Sequence, residues 1–183
     1  MRDTAWDKVE RFLIGLLGAA AMLVGLVQVL GRYIAPRYAI SWAEEVIVYL
    51  IVWGIMLAAS QLVRTDGHVR PDLVLRAVSP RVQRWMEVTN CIAAIAFCAG
   101  LAWYGWSTVA ASWQLDERSS SDLQFPIWLY AAAVPTGALL MTGRYLNRLY
   151  RYLFAFDPEA MTVGHIPGHE QGGGLTVAPP AND

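Results

Sequence analysis

Hydrophobic residues along the chain fall into four long blocks that are separated by shorter polar segments. Each block is close to the roughly 20 apolar residues that a helix needs to cross the hydrocarbon core of a bilayer. The pattern therefore predicts an all-α integral membrane protein with four transmembrane helices in one membrane domain, residues 1–156. The predicted spans are residues 12–31, 44–63, 86–113 and 126–146.

The polar segment between the second and third blocks contains the stretch RPDLVLRAV, residues 70–78, which mixes apolar and basic positions. This mixture is typical of a short amphipathic helix in the membrane interface, and a plain loop stays open as the alternative. Ser79 and Pro80 follow at once. They are favoured N-cap and first-turn residues, so the third helix is predicted to begin there, before its apolar core.

The composition agrees with a membrane domain followed by a different kind of segment. The chain is 56% hydrophobic and 16% charged, whereas soluble domains are about 45–50% apolar and 25% charged. Residues 157–183 are instead rich in Gly, Pro and polar side chains. Such a segment cannot bury enough apolar surface to order itself, so a flexible C-terminal tail is predicted.

Basic residues are unevenly distributed between the polar segments. Eleven of the 14 Lys and Arg residues precede the first span, lie between the second and third, or follow the fourth. Positive charge is retained on the cytoplasmic side. We therefore expect a multi-pass protein of the bacterial inner membrane with both termini in the cytoplasm. The net charge of -1 gives no reason to expect nucleic acid as a partner.

The central parts of the four blocks contain no Asp, Glu, Lys, Arg or His. Proton relays and ion-coupled carriers need such groups at depth, and bis-His haem needs facing histidines. We therefore expect neither an enzyme nor a cofactor, and we interpret the chain as a subunit that positions another protein. An autonomous small transporter and a generic membrane assembly protein remain alternatives. Flux from the chain alone would indicate the first, and the absence of an uptake phenotype the second.

Two adjacent acids open the second block, in the stretch SWAEEVIVYL. Ser41 and Glu44 have the spacing of a capping box, in which each side chain bonds the other residue's backbone amide. Both acids also favour the positive end of the helix dipole. On this basis Glu44 is expected to cap the helix and Glu45 to pair with an arginine of the preceding loop.

Three stretches resemble the small membrane subunit of tripartite ATP-independent periplasmic (TRAP) transporters, the DctQ-type family. They cover about residues 7–152 in the family's order and are GRYIAPRYAISWAEEVIVYLIVWG, DGHVRPDLVLRAVSP and FPIWLYAAAVPTGALLMTGRYL. The resemblance implies a small permease subunit that scaffolds a separate large membrane subunit. That assembly takes up an organic acid from a periplasmic binding protein, coupled to sodium. Sodium is then expected at the large subunit, with membrane lipid as a further partner.

The resemblance also suggests structural or partner-contact residues. Four are expected to form an anchor at the periplasmic edge, where capping is favoured over partner contact. Two are expected to hydrogen-bond or cap the short interfacial helix, and three to set the course of the fourth span. In that order they are Arg32, Trp42, Glu44 and Glu45; His68 and Asp72; and Pro126, Trp128 and Pro135.

The loop before the fourth block carries three acids and one arginine. A solvated loop is slightly favoured over an acidic docking patch for the binding protein. The acids are Asp116, Glu117 and Asp122, and the arginine is Arg118.

Overall fold

The computed structural model describes residues 5–34, 41–65 and 79–156. Within these ranges the chain forms helices, and the only strand-like feature is an isolated bridge between Arg118 and Pro126. The all-helical prediction is therefore confirmed for this part of the chain. The helices are α1 (Ala5–Ile34), α2 (Ala43–Thr65), α3 (Pro80–Gln114), α4 (Ile127–Ala131) and α5 (Ala133–Phe154).

Three of the described helices, α1, α2 and α3, are long and apolar enough to cross a membrane. The fourth predicted span corresponds to α4 and α5 together. Helix α5 alone has 22 residues, and its second half carries Arg144, Arg148 and Arg151, so its apolar part is short. A fourth crossing thus stays a prediction. The predicted interfacial helix and the predicted tail lie outside the described residues.

Helix α3 begins where the cap signals predict. Ser79 is in an extended conformation, with φ -64° and ψ 155°, and Pro80 opens the helix, although the Ser79 side chain makes no capping hydrogen bond. The helix has 35 residues, which is about 52 Å at 1.5 Å per residue. It is much longer than a 30 Å hydrocarbon core requires.

The helices pack as a row in the order α1, α2, α5, α3. Helix α1 packs along α2, α2 also packs on α5, and α5 makes its most extensive contact with α3. The short helix α4 packs mainly against α3, which is the last helix of the row. Large apolar side chains face outward on both outer helices, including Met22 on α1 and Trp103 on α3.

Small residues set the spacing within the row. On the α1–α2 side, the Cδ1 atom of Ile47 lies 3.6 Å from the position that a β-carbon would take at Gly25. On α5, Pro135 faces α3, where a β-carbon at Gly105 would stand 3.0 Å from the proline Cδ. Two positions later, Gly137 faces α2. Helix α5 therefore contacts both neighbours through a Pro-x-Gly motif.

Helices α4 and α5 are separated only at Ala132, three residues before Pro135. Ala132 keeps a right-handed helical conformation, with φ -63° and ψ -18°, so the chain continues without a sharp turn. Proline clashes with the carbonyl four residues earlier and cannot donate to it, which accounts for the interruption. Thr136 stabilises the chain at the interruption, because its backbone amide and its hydroxyl both donate to the Ala132 carbonyl.

Candidate functional site

Polar side chains of the described helices gather near the two ends of the helices, on either side of their apolar middle. We call one the loop end, which contains Arg32, Glu44, Glu45 and the connection of residues 115–126. We call the other the ionic end, which contains Asp7, Glu10, Arg64, Glu87, Arg144 and Arg148.

At the loop end, Glu45 is held by the structure that connects α3 to α4. The Tyr49 hydroxyl, one helical turn away, donates to the Glu45 carboxylate at 2.5 Å. The hydroxyls of Ser119 and Ser121 also interact with this carboxylate. The predicted pairing of Glu45 with an arginine of the preceding loop stays a prediction, because Arg37 of that loop lies outside the described residues.

The capping box is not formed either. Helix α2 begins at Ala43, and the Val46 amide donates to the Trp42 carbonyl, so the helix starts one residue later than a Ser41 cap requires. The Ser41 hydroxyl instead donates to Asp122, at 2.5 Å. Trp42 is the residue immediately before the helix.

Glu44 points toward α1 rather than back along its own helix. Its carboxylate accepts a hydrogen bond from the Gln28 side chain at 3.1 Å and lies 4.0 Å from a guanidinium nitrogen of Arg32. The side chains of Arg32 and Glu44 are 70% and 74% exposed. A pair this open and this long contributes little to stability, so both charges remain available to a partner.

The connection between α3 and α4 is a folded loop. It opens with a Schellman motif, in which the Glu117 amide donates to the Ser112 carbonyl and the Asp116 amide to the Trp113 carbonyl. Asp116 takes the left-handed conformation that this motif needs, with φ 45°. Further along, the Ser119 amide donates to the Phe125 carbonyl, which closes the loop.

The three acids of this loop are each engaged within the protein. Asp116 forms an ion pair with Arg118 at 2.9 Å, and Glu117 accepts from the Ser112 hydroxyl at 2.7 Å. Asp122 accepts from Ser41, as described above. These contacts favour a structural role for the acids over an acidic docking patch.

Aromatic side chains fasten the loop and α4 to the row. Tyr49 packs against Phe125 and Tyr130, with ring centroids 5.1 and 5.0 Å apart. Trp128 makes an edge-on contact with Trp113 of α3, with centroids 4.9 Å apart. Pro126, in an extended conformation, precedes α4 directly. Pro126 and Trp128 therefore stand at the start of the fourth helical segment, while their functional importance stays a prediction.

An open cleft of about 620 Å³ lies between the start of α2 and this loop. Its lining combines three carboxylates with several hydroxyl groups and one apolar side chain. The described residues contain no group of three or more His, Cys, Asp or Glu side chains placed to share a metal ion. The lining residues are Ser41, Glu44, Glu45, Tyr49, Ser119, Ser120, Ser121, Asp122 and Ile127.

At the ionic end, charged side chains from α1, α2 and α5 meet in the packed interior. Arg144 of α5 contacts Asp7 at 3.4 Å and also hydrogen-bonds Glu10. Arg64 of α2 contacts Asp7 at 3.3 Å, and the Gln61 side chain donates to Glu10 at 2.6 Å. The side chain of Glu10 is only 1% exposed. These contacts join two acids with two arginines.

A second set of contacts ties the start of α3 to the end of α5. Arg148 pairs with Glu87 at 3.0 Å, and both side chains are largely buried. Arg84 donates to the carbonyls of Tyr152 and Leu153, at 2.8 Å each. These carbonyls belong to the last turn of α5, where cationic donors satisfy orphan acceptors and oppose the helix dipole.

The ionic end was not predicted from the sequence, because its arginines were interpreted only as orientation signals. Two spacings carried the information. Asp7 and Glu10 are three apart on α1, and Arg144 and Arg148 are four apart on α5, so each pair lies on one helix face. Of the other predicted site residues, Pro135 lies between α5 and α3, and His68 and Asp72 lie outside the described residues.

The apolar helices, the outward-facing hydrophobic side chains and the confinement of charge to the two ends define a multi-pass membrane protein. The family model for the DctQ component of tripartite ATP-independent periplasmic transporters matches residues 21–155. The chain therefore belongs to this family of small permease subunits, and it is a transporter component of the inner membrane.

Curated relatives agree with this assignment. A C4-dicarboxylate TRAP transporter small permease protein DctQ of Rhodobacter capsulatus is 28% identical over 86% of this chain and 63% of its own length. The protein of the same name from Vibrio cholerae is 25% identical over 87% of this chain and 77% of its own length. The one from Pseudomonas aeruginosa is 28% identical over 62% of this chain and 55% of its own length.

Proposed function

We propose that this chain scaffolds a separate large membrane subunit that takes up an organic acid together with sodium. A periplasmic binding protein delivers the acid to that assembly. The relatives named above are C4-dicarboxylate small permeases, so a C4-dicarboxylate is the first substrate to test. On this proposal the sodium site and the substrate site belong to the large subunit, and this chain needs no cofactor of its own.

One observation supports a scaffold most strongly: the middle parts of the packed helices carry no charged side chains. The charged side chains of the described helices lie at the ionic end and the loop end, and between them the helices are apolar. Ion-coupled carriers need ionisable groups near the middle of the membrane. A chain without them is suited to supporting a partner through its outward-facing apolar surface and through lipid contacts.

The proposed topology follows from the charge bias and from helix length. The ionic end faces the cytoplasm, the loop end faces the periplasm, and both termini are cytoplasmic. Helices α4 and α5 together, residues 127–154, make the fourth crossing, since 28 residues span about 42 Å. Residues 1–156 then form the membrane domain, and residues 157–183 form a flexible tail.

At the loop end, the exposed pair of Arg32 and Glu44 is the proposed contact for the binding protein. Their side chains are mostly exposed and only loosely paired, so a partner can engage either charge without breaking the fold. Glu45, which is held by Tyr49, has a structural role in this proposal. A helix cap is not needed to hold Glu44, because the Gln28 side chain already donates to its carboxylate.

Complementation in cells tests the function. A host that lacks its own C4-dicarboxylate uptake would express a candidate large subunit and binding protein, with or without this chain, and uptake of labelled succinate would be measured. Affinity purification of the chain would show whether the large subunit comes with it. We expect co-purification, and uptake only when all three proteins are present. Full uptake without this chain, together with no co-purification, would contradict the proposal.

A further inference from the structure

Arg144 joins two helices that are not neighbours in the row. It belongs to α5, yet its contacts are with Asp7 and Glu10 of α1, and α2 lies between these helices in the packing order. The Arg144 side chain is only 15% exposed. The guanidinium therefore lies inside the protein and does not extend from its surface.

The segment that carries Arg144 is poorly suited to insert alone. The described helices that are apolar enough to cross a membrane do not include α5. The uncharged run before Arg144 covers residues 123–143, and it contains two prolines and the motif PTGALLMTG, in which four of the nine residues are threonine or glycine. An arginine in the hydrocarbon adds a further cost unless its charge is compensated.

Helices α1 and α2 supply that compensation in a prepared form. Arg64 and Gln61 of α2 hold the two carboxylates of α1, at 3.3 Å from Asp7 and 2.6 Å from Glu10. Both carboxylates are buried, with side-chain exposures of 8% and 1%. Arg144 is the cation that pairs with the buried Glu10 carboxylate, so removing Arg144 takes this charge compensation away from Glu10.

We propose that Asp7 and Glu10 neutralise Arg144 and thereby hold α5 in its membrane-spanning position. The α1–α2 hairpin comes first in the chain and presents the two carboxylates, and α5 takes its place because Arg144 is neutralised there. Removing one partner of a buried ion pair leaves an uncompensated charge, which is strongly unfavourable, whereas removing both is tolerated far better. The inference uses the four-crossing topology proposed above but does not depend on transport.

A topology reporter tests this inference on the full-length chain. A dual reporter fused after Asp183 would give fluorescence when it is cytoplasmic and phosphatase activity when it is periplasmic. In Glu10→Gln, we expect the periplasmic share to rise by about threefold or more, because Arg144 loses its main counter-charge. In the double variant Glu10→Gln with Arg144→Gln, the share should return to the unsubstituted level.

The control is the exposed ion pair at the loop end. Asp116→Asn removes the partner of Arg118, whose side chain is 51% exposed, and should leave the reporter ratio unchanged. An unchanged ratio in Glu10→Gln would overturn the inference. So would a double variant that is as misplaced as the single one, because the defect would then come from lost packing. A periplasmic reporter on the unsubstituted chain would instead refute the four-crossing topology itself, and the inference with it.

Discussion

Gly137 of α5 lies directly against Met56 of α2, with no room for a side chain between them. A β-carbon built on Gly137 would stand 2.8 Å from the Cβ of Met56 and 3.2 Å from its carbonyl oxygen. The Met56 Cβ is bonded to the α2 backbone and the carbonyl oxygen belongs to it, so neither atom can move away unless the helix itself moves. The approach of the two central helices therefore depends on glycine at this position.

Replacing Gly137 with Ala should destabilise the protein by about 1–3 kcal/mol, the usual cost of overpacking. Cys91 and Cys98 are buried and do not form a disulfide. A thiol-reactive dye therefore reports unfolding in detergent, and the Gly137→Ala transition should occur at a lower temperature. Gly143→Ala is the matched control on the same helix, because nothing lies within 4 Å of its added carbon. Equal transition temperatures for the two variants would contradict the close packing.

Removing the Tyr49 hydroxyl should loosen the loop end. Tyr49→Phe keeps the ring contacts with Phe125 and Tyr130 and loses only the hydrogen bond to Glu45. A lost hydrogen bond of this kind costs about 1 kcal/mol. The same dye assay would measure it. Tyr104→Phe is the control, since Tyr104 is 74% exposed. A Tyr49→Phe variant as stable as that control would show that the bond to Glu45 adds nothing.

Arg84 should hold the last turn of α5. Arg84→Gln removes the guanidinium that donates to Tyr152 and Leu153, so amide hydrogens of residues 149–154 should exchange faster. The expected cost is about 1 kcal/mol or somewhat more, since the bonds are charge-assisted. Arg81→Gln, an exposed arginine in the same turn of α3, should leave exchange unchanged. Exchange that is equally fast in both variants would remove Arg84 from this role.

Glu44 should affect docking but not stability. Glu44→Gln changes an exposed, loosely paired side chain, so its unfolding free energy should stay within about 0.5 kcal/mol of the unsubstituted value. At low ionic strength, uptake that depends on the binding protein should be lower with Glu44→Gln than with the unsubstituted protein. This difference between the two proteins should shrink as salt screens the charges. Asp116→Asn, another exposed acid at the loop end, serves as the control. An equal effect of both variants would indicate a general charge effect and contradict a specific contact at Glu44.

Features that depend on neighbouring residues could be predicted from the sequence, whereas features that depend on residues far apart in the chain could not. The start of α3 at Pro80 depends on its own residues, Ser79 and Pro80, and was predicted correctly. The partners of Ser41 and Glu44 were not, because they come from Asp122, 81 positions later, and from Gln28 on another helix. A capping box is a local pattern, and here contacts between elements override it.

The ionic end illustrates the same limit. Charge counting identified Arg64, Arg144 and Arg148 as basic residues beside the spans, which was sufficient to predict an orientation. It did not reveal that Asp7, Glu10 and Glu87 neutralise them, because those pairings join positions 57 to 137 residues apart. Pro135 lies three residues after the interruption between α4 and α5, and its contact with Gly105 could not be predicted without the packing order of the helices.

Uptake in proteoliposomes tests the central claim most directly, namely that this chain supports transport without conducting solute itself. Vesicles would contain this chain alone, a co-purifying large subunit alone, or both, and sodium-driven entry of labelled succinate would be measured with binding protein outside. The account predicts no entry with this chain alone and entry when both subunits are present. Entry into vesicles that hold only this chain would contradict it.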